Sequence, residues 1–182
     1  MPTNSELAFA ERPEVLAAWV QLSGATKAGM DLRRYELTTL AAARRLRSSY
    51  CCLAHGKMLR ETFGEPVREI ALDHRAAGLD EVDVAVMDLA ERVVDDATSI
   101  GDADLQRLRD LGLSETEIMD VVLAAAARCF FSKTLDALCV APTRATASWS
   151  RSSRRRSSSA GRSLTKRSRA PRSRGRPRRG AS

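Results

Sequence analysis

What the chain lacks narrows its chemistry first. Of 182 residues only two are histidine and four are cysteine, and aromatic side chains make up 4% of the sequence. One thiol–imidazole neighbourhood (Cys51, Cys52, His55) with no second Cys or His cluster offers too few ligands for a metal site, so neither a metal nor a bound cofactor is expected. No apolar run approaches the roughly 18 residues that cross a bilayer. The longest, Val121 to Ala127, is cut by Arg128. The first residues, MPTNSELAFAERPEV, carry acids and a proline where a signal peptide has a basic start and an apolar stretch. We therefore expect a cytoplasmic protein without a membrane segment, its thiols reduced unless they take part in catalysis. Alternation of apolar and polar residues is missing too, and with it any strand signal; no clear internal repeat stands out.

Acidic residues are missing from one region altogether. Residues 144–182 hold 14 of the 30 Lys and Arg and no Asp or Glu, which leaves 16 basic and 23 acidic residues, a charge of −7, in 1–143. The overall +7 therefore belongs to the tail and says nothing about the partners of the rest. We divide the chain into a helical domain, 1–142, and an Arg/Ser-rich tail, 143–182, which has too little to bury and too much self-repulsion to fold alone and is expected to be disordered. An abrupt switch to Arg, Ser, Ala, Pro and Gly is what out-of-frame reading of GC-rich DNA yields, and a frameshift is our preferred origin for the tail. A solvated basic tail ranks second. Nucleic-acid binding ranks last, through counterion release or through Arg174-Gly175-Arg176-Pro177, which resembles an AT-hook core. A clean reading frame at the gene's 3′ end, matched by peptide mass, would sink the frameshift.

The remaining punctuation marks helices. Pro13 suits a first helical position and Glu14 complements the positive helix end, so Glu6 to Met30 reads as a helix starting near Arg12-Pro13-Glu14. Leu16, Trp19, Val20 and Leu22 give it an apolar side. Asp31 is a natural N-cap for a second helix, whose apolar members are Tyr35, Leu37, Leu40, Ala41, Ala43 and Leu46. Ser48-Ser49 interrupts that helix and caps a third, YCCLAHGKMLRETFG, which ends at Gly64. A short helix over 66–77 closes at Gly78. Leu79 to Ile100 has the cleanest amphipathic spacing, through Val82, Val86, Leu89, Val93 and Val94. After a short helix from Asp102 to Leu111, Ser114 and Glu117 resemble a capping box for a last helix running to about Leu138. That helix is apolar almost all round, which predicts burial in a core or in a homo-oligomer interface. The fold class is all-α.

The stretch that carries chemistry runs from Glu36 to His55. Ser48, Cys51 and His55 are spaced i, i+3, i+7 and share one helical face, while Glu36 reaches the same place from the preceding helix. A thiol at a helix start, beside an imidazole and an acid, is a candidate activated nucleophile. The pattern Glu-x11-[Ser/Cys]-x2-Cys-x3-His is met by Glu36, Ser48, Cys51 and His55. With the preceding ERPEV helix, the YCxxAHG phrase (Tyr50 to Gly56) and the LxLSxxExxDVV start of the last helix, it resembles the AhpD-like/carboxymuconolactone decarboxylase family over about residues 8–142.

The resemblance implies an AhpD-like helical bundle that assembles as a homo-oligomer, a trimer or hexamer. In the alkylhydroperoxidase branch it implies a peroxide-reducing dithiol, that is, peroxiredoxin activity with an antioxidant role. Cys51 inherits the attack on a small peroxide, and Glu36 and His55 inherit a proton relay. An external thiol or dithiol is the expected reductant. Where that branch has its first cysteine this chain has Ser48, and a serine cannot resolve a sulfenic acid. Three routes remain: a one-cysteine cycle resolved by an external thiol, resolution by Cys52 or Cys129, or loss of peroxidase activity. A decarboxylase-like lyase with Glu36 and His55 as acid and base needs no dithiol. A catalytically lapsed structural or binding subunit is the third reading. Plain structural roles stand beside these: Glu36 paired with Arg33, Arg44 or Arg47, Ser48 as a helix cap, Cys52, Cys129 and Cys139 as packing residues, and His74 at the surface or a helix end.

Overall fold

Residues 2–142 are described by the computed structural model, so the readings of the 143–182 tail lie outside the described residues. Within that range the chain forms helices α1 (Asn4–Ala8), α2 (Pro13–Gly29), α3 (Leu32–Arg45), α4 (Ser49–Phe63), α5 (Val67–Leu72), α6 (Glu81–Asp96), α7 (Asp102–Asp110) and α8 (Glu115–Ala137), and no strand. Local chemistry sets most boundaries. Asp31 accepts the Arg34 N–H at the start of α3, and Ser114 and Glu117 form the capping box of α8. Gly64, at φ 72°, closes α4 in the left-handed region that a Cβ disfavours.

Two expected helices are divided, and the polar caps explain both. Thr3 and Glu6 form a capping box that starts α1 separately, before Pro13 opens α2. The 66–77 helix breaks at Asp73, which is extended (φ −155°) and accepts the Arg75 N–H to start a 3-10 turn over His74–Ala76. Ser48 does stand at the N-cap of α4, but its side chain makes no capping bond, so its role as a cap is backbone only.

Helix α3 is the centre of the bundle. The sequence gives it six apolar members, yet every residue from Tyr35 to Ala43, polar ones included, is buried, because α4, α6 and α8 pack around it. Its composition permits this. Ala41, Ala42 and Ala43 let neighbouring helices come close. The Thr38 and Thr39 hydroxyls bond back to the carbonyls of Arg34 and Tyr35 at 2.8 and 2.9 Å, so their burial leaves no donor unpaired. Leu37 and Leu40 meet Leu59, Ile70 and Met87 in the main core, and full burial of each such side chain stabilises by about 1.5–3 kcal/mol. A second cluster joins α6, α7 and α8 through Val86, Leu89, Leu108, Ile118 and Val121. A third gathers Phe9, Ala43, Cys51, Phe131 and Leu135, with Trp19 packed against it. The last helix is therefore buried along one side, while Met119, Leu123 and Phe130 are exposed on the other. None of the described helices is long and apolar enough to cross a membrane.

Candidate active site

Helix α4 begins against α8, and the two meet in matched steps. Ser48 Oγ donates to Asp136 Oδ1 at 3.2 Å, and Ser132 Oγ donates to Cys51 Sγ at 3.1 Å. Arg128, one further turn back along α8, directs its guanidinium to the same sulfur at 3.8 Å. The spacing 48, 51 on α4 and 136, 132, 128 on α8 is the one-turn repeat of two helices running in opposite directions. Cys51 is the third residue of α4, within the first turn whose N–H groups point toward the helix start. It is 1% exposed.

Helix α3 supplies the acid. Glu36, 2% exposed, does not pair with an arginine. Arg33 is taken by Glu65 and Asp83, and Arg44 by Glu91. Glu36 instead accepts from His55 Nδ1 at 2.6 Å and faces Lys27 Nζ at 3.4 Å. Burial raises the cost of its charge, but the His55 hydrogen bond and charge, then Lys27, more than offset this and hold its carboxyl below the usual range. His55 moves the opposite way from an exposed imidazole beside an acid. Burial first, then the Arg128 charge, outweigh Glu36 and lower its pKa to about 4. At neutral pH the pair is thus carboxylate and neutral imidazole. A carboxylate can only accept, so Nδ1 carries the proton, and Nε2, which has no hydrogen-bond partner among the described residues, is left as a base.

These groups share a pocket of about 280 Å³. Cys51, His55, Glu36, Lys27 and Arg128 line it together with the aromatic residues Trp19, Tyr35, Tyr50 and Phe131. Of the sequence candidates, Cys51, Glu36 and His55 meet here. Ser48 is fully buried and turned to Asp136 instead, and it is not among the lining residues. Cys52 packs between the main and third clusters, and burial, then the neighbouring Cys51, raise its thiol to about 11. Cys129 lies next to Arg128 but about 100° round α8 from it. Cys139, expected to pack, is exposed beyond the end of α8.

Three participants escaped the sequence reading: Lys27, Arg128 and Ser132. A signal existed for two of them. Lys27 is the one charge between Glu14 and Asp31, and Arg128 the one charge between Asp120 and Lys133; a lone charge on an otherwise apolar helix needs a partner. Ser132 carried no such mark. Of the two expectations for His74, the helix end holds and the surface does not: it opens the 3-10 turn just past α5, yet it is 1% exposed, with Nε2 2.8 Å from Asp88 and Nδ1 3.4 Å from Arg44. The carboxylates of α6 draw it inward. No cluster of three or more His, Cys, Asp or Glu among the described residues is arranged to hold a metal ion.

No protein-family model matches the sequence, and no curated protein matches it by sequence. Solved structures do match. An uncharacterized peroxidase-related protein from Ralstonia eutropha JMP134, described as an alkylhydroperoxidase AhpD core, superposes with a TM-score of 0.74 at 21% identity, covering 79% of this chain and 78% of its own. An uncharacterized peroxidase-related protein from Silicibacter sp. TM1040 superposes with a TM-score of 0.71 at 22% identity, covering 76% and 75%. The all-helical architecture suggested by the Glu36–His55 motif is thus the one observed, and the chain has the AhpD-like fold.

Proposed function

We propose that the chain is a thiol-dependent peroxidase whose nucleophile is Cys51. The observation that carries this reading is the convergence on one sulfur of two donors, Ser132 Oγ and Arg128 Nη1, in a pocket that also holds an oriented neutral imidazole. A hydroxyl, a guanidinium and a helix start all favour negative charge on sulfur. His55 Nε2 takes the thiol proton, directly or through water, with Glu36 fixing the tautomer. The thiolate attacks the terminal, hydrogen-bearing oxygen of R–O–OH; the S–O bond forms as the O–O bond breaks, and sulfur is oxidised while the peroxide is reduced. The alkoxide leaves with the proton from His55, giving R–OH and Cys51 sulfenic acid. One external thiol then displaces water to give a mixed disulfide, and a second releases Cys51 as a thiol and a small disulfide. Ser48 removes the internal route that a cysteine at the first motif position would provide.

A second reading draws on the same Ser48. With a hydroxyl bonded to Asp136 where a resolving thiol would stand, Glu36 and His55 still form a complete acid–base pair, as a lyase acting on a carboxylated lactone would require. The exposed apolar residues Met119, Leu123 and Phe130 on α8 support the expected homo-oligomer, and the cytoplasm remains the expected location.

The deciding experiment is peroxide consumption with a small thiol or dihydrolipoamide, comparing the parent with Cys51→Ser and Ser48→Cys. Turnover should vanish in the first and rise in the second, because a thiol three residues before Cys51 can close an internal disulfide. Absence of turnover in both parent and Ser48→Cys would turn the assignment to the lyase.

A further inference from the structure

Two donors on side chains that line this pocket are left over by the thiol chemistry. Arg128 is 4% exposed, and no carboxylate among the described residues forms an ion pair with it. Its Nη1 faces Cys51, but its Nε–H is buried without an acceptor. The indole Nε1–H of Trp19 is also buried without an acceptor, in a ring stacked on Phe131 at 3.8 Å between centroids. The guanidinium carbon lies 5.7 Å from the Trp19 ring and 5.8 Å from the Phe131 ring. Such contacts relieve a buried cation in part, but they satisfy no N–H. A buried charge without a counter-ion, beside two idle donors, is a costly arrangement that a ligand bearing acceptor oxygens would relieve. The balance of charge points the same way. Among the lining residues Lys27 and Arg128 are cationic and Glu36 is the carboxylate, so with a neutral His55 an anionic ligand complements the pocket. The remaining wall, from Trp19, Tyr50, Ala54 and Phe131, is largely apolar.

We propose that this pocket takes a small organic carboxylate, its acid group bound by the free Nε–H of Arg128 and Nε1–H of Trp19 and its apolar body lying along the aromatic wall. The carboxylate site stands on the donors alone. Its identification as part of the substrate rests on the peroxidase reading, under which the substrate is a hydroperoxide that also carries a carboxylate. The two groups must be close together in the molecule, because the guanidinium that holds the acid also touches Cys51 Sγ.

The test uses the full chain with Trp149→Phe, which leaves Trp19 as the one tryptophan. Its fluorescence is followed during titration with benzoate and with the neutral isostere benzamide at constant ionic strength. Benzoate should bind saturably, at least about tenfold more tightly than benzamide, the discrimination expected when a buried charged donor loses its partner. Arg128→Gln should remove that preference. Equal affinity for the two compounds, or no benzoate response at millimolar concentration, would overturn the proposal. Should Arg128→Gln lose its helical circular dichroism, the contrast between benzoate and benzamide in the parent decides alone. Peroxide turnover is measured separately on the same protein. Benzoate preference without turnover keeps the carboxylate site and removes the peroxidase, whereas turnover without benzoate preference does the reverse.

Discussion

The two histidines of this chain are both enclosed and both hydrogen-bonded to a carboxylate, and they differ in what the second ring nitrogen meets. The His55 side chain is 14% exposed and gives Nδ1 to Glu36, leaving Nε2 unpartnered in a pocket that contains a thiol. The His74 side chain is 2% exposed, with Nε2 on Asp88 and Nδ1 between Arg44 at 3.4 Å and Glu91 at 3.8 Å. Both of its nitrogens are occupied. It ties the 3-10 turn to α3 and α6, in a ring of charges that Arg75 extends through Asp88. A general base needs an uncommitted nitrogen beside the group it deprotonates; a structural clasp needs none. Burial and a carboxylate neighbour, taken alone, do not tell the two apart.

Exchanging the two ring sites gives the sharpest contrast. His55→Gln should lower peroxide turnover per folded molecule by on the order of 10²–10⁴, the range for loss of a positioned acid–base group, and its urea midpoint falls as well, because buried Glu36 loses the His55 hydrogen bond. His74→Gln should separate the two effects. Turnover per folded molecule stays within about twofold, and stability falls by about 1–3 kcal/mol as buried partners lose their bonds. Loss of turnover in a folded His74→Gln protein would break the division between clasp and base.

The next test is smaller in size and concerns pH. His55 has a folded pKa lowered from 6.5 to about 4, so the unfolded chain takes up its proton first as the pH falls. Protonation then favours unfolding across the window from about 6.5 to 4. Above that window His55 has no effect on stability, and below it the loss is complete. Between pH 7 and pH 5 the loss should be about 2 kcal/mol. Urea denaturation at the two pH values should show this difference in the parent and a flatter response in His55→Gln. Glu36, also lowered but from a lower starting point, stabilises the fold above its unfolded pKa and gives that up only toward the acid end. An equal slope in the two proteins would show that folding does not lower the His55 pKa, and a parent that gains stability toward pH 5 would show that His55 is already charged in the folded chain at neutral pH and is lost as a base.

These sites were unevenly legible in the sequence. Caps such as Asp31, Ser114 and Gly64 mark helix ends because their chemistry is local, and the Glu36, Cys51, His55 register follows from spacing within two adjacent helices. What depended on the approach of distant helices was hidden. α3 is buried all round because three helices surround it, a property of packing that its six apolar members do not express. Arg128 and Ser132 come within reach of Cys51 across 77 and 81 residues. His74 has no periodic signal at all; its partners lie on α3 and α6, and one isolated histidine in a polar segment reads as surface. The division of the 66–77 helix at Asp73 was missed because an aspartate can cap a turn or sit in one, and tertiary contacts to His74 decide which.

The smallest expected effect concerns the two adjacent thiols, which repeat the histidine comparison on sulfur. Cys51 has a hydroxyl and a guanidinium directed at it and lines the pocket. Cys52 points elsewhere on α4, and burial, then the neighbouring Cys51, lift its thiol to about 11. At pH 7 a thiol of that acidity is thiolate in only about one molecule in 10⁴, and the thiolate is the form that attacks a sulfenic acid. Resolution by Cys52 would also require a disulfide between sequence neighbours, a strained ring that a helix does not accommodate. Cys52→Ser should therefore leave turnover with an external thiol within about twofold of the parent. A collapse of turnover in Cys52→Ser, with sulfenic acid accumulating on Cys51 by mass, would make Cys52 the resolving thiol. The first turn of α4 would then have to unwind during each cycle, because only an opened backbone lets both sulfurs reach one another.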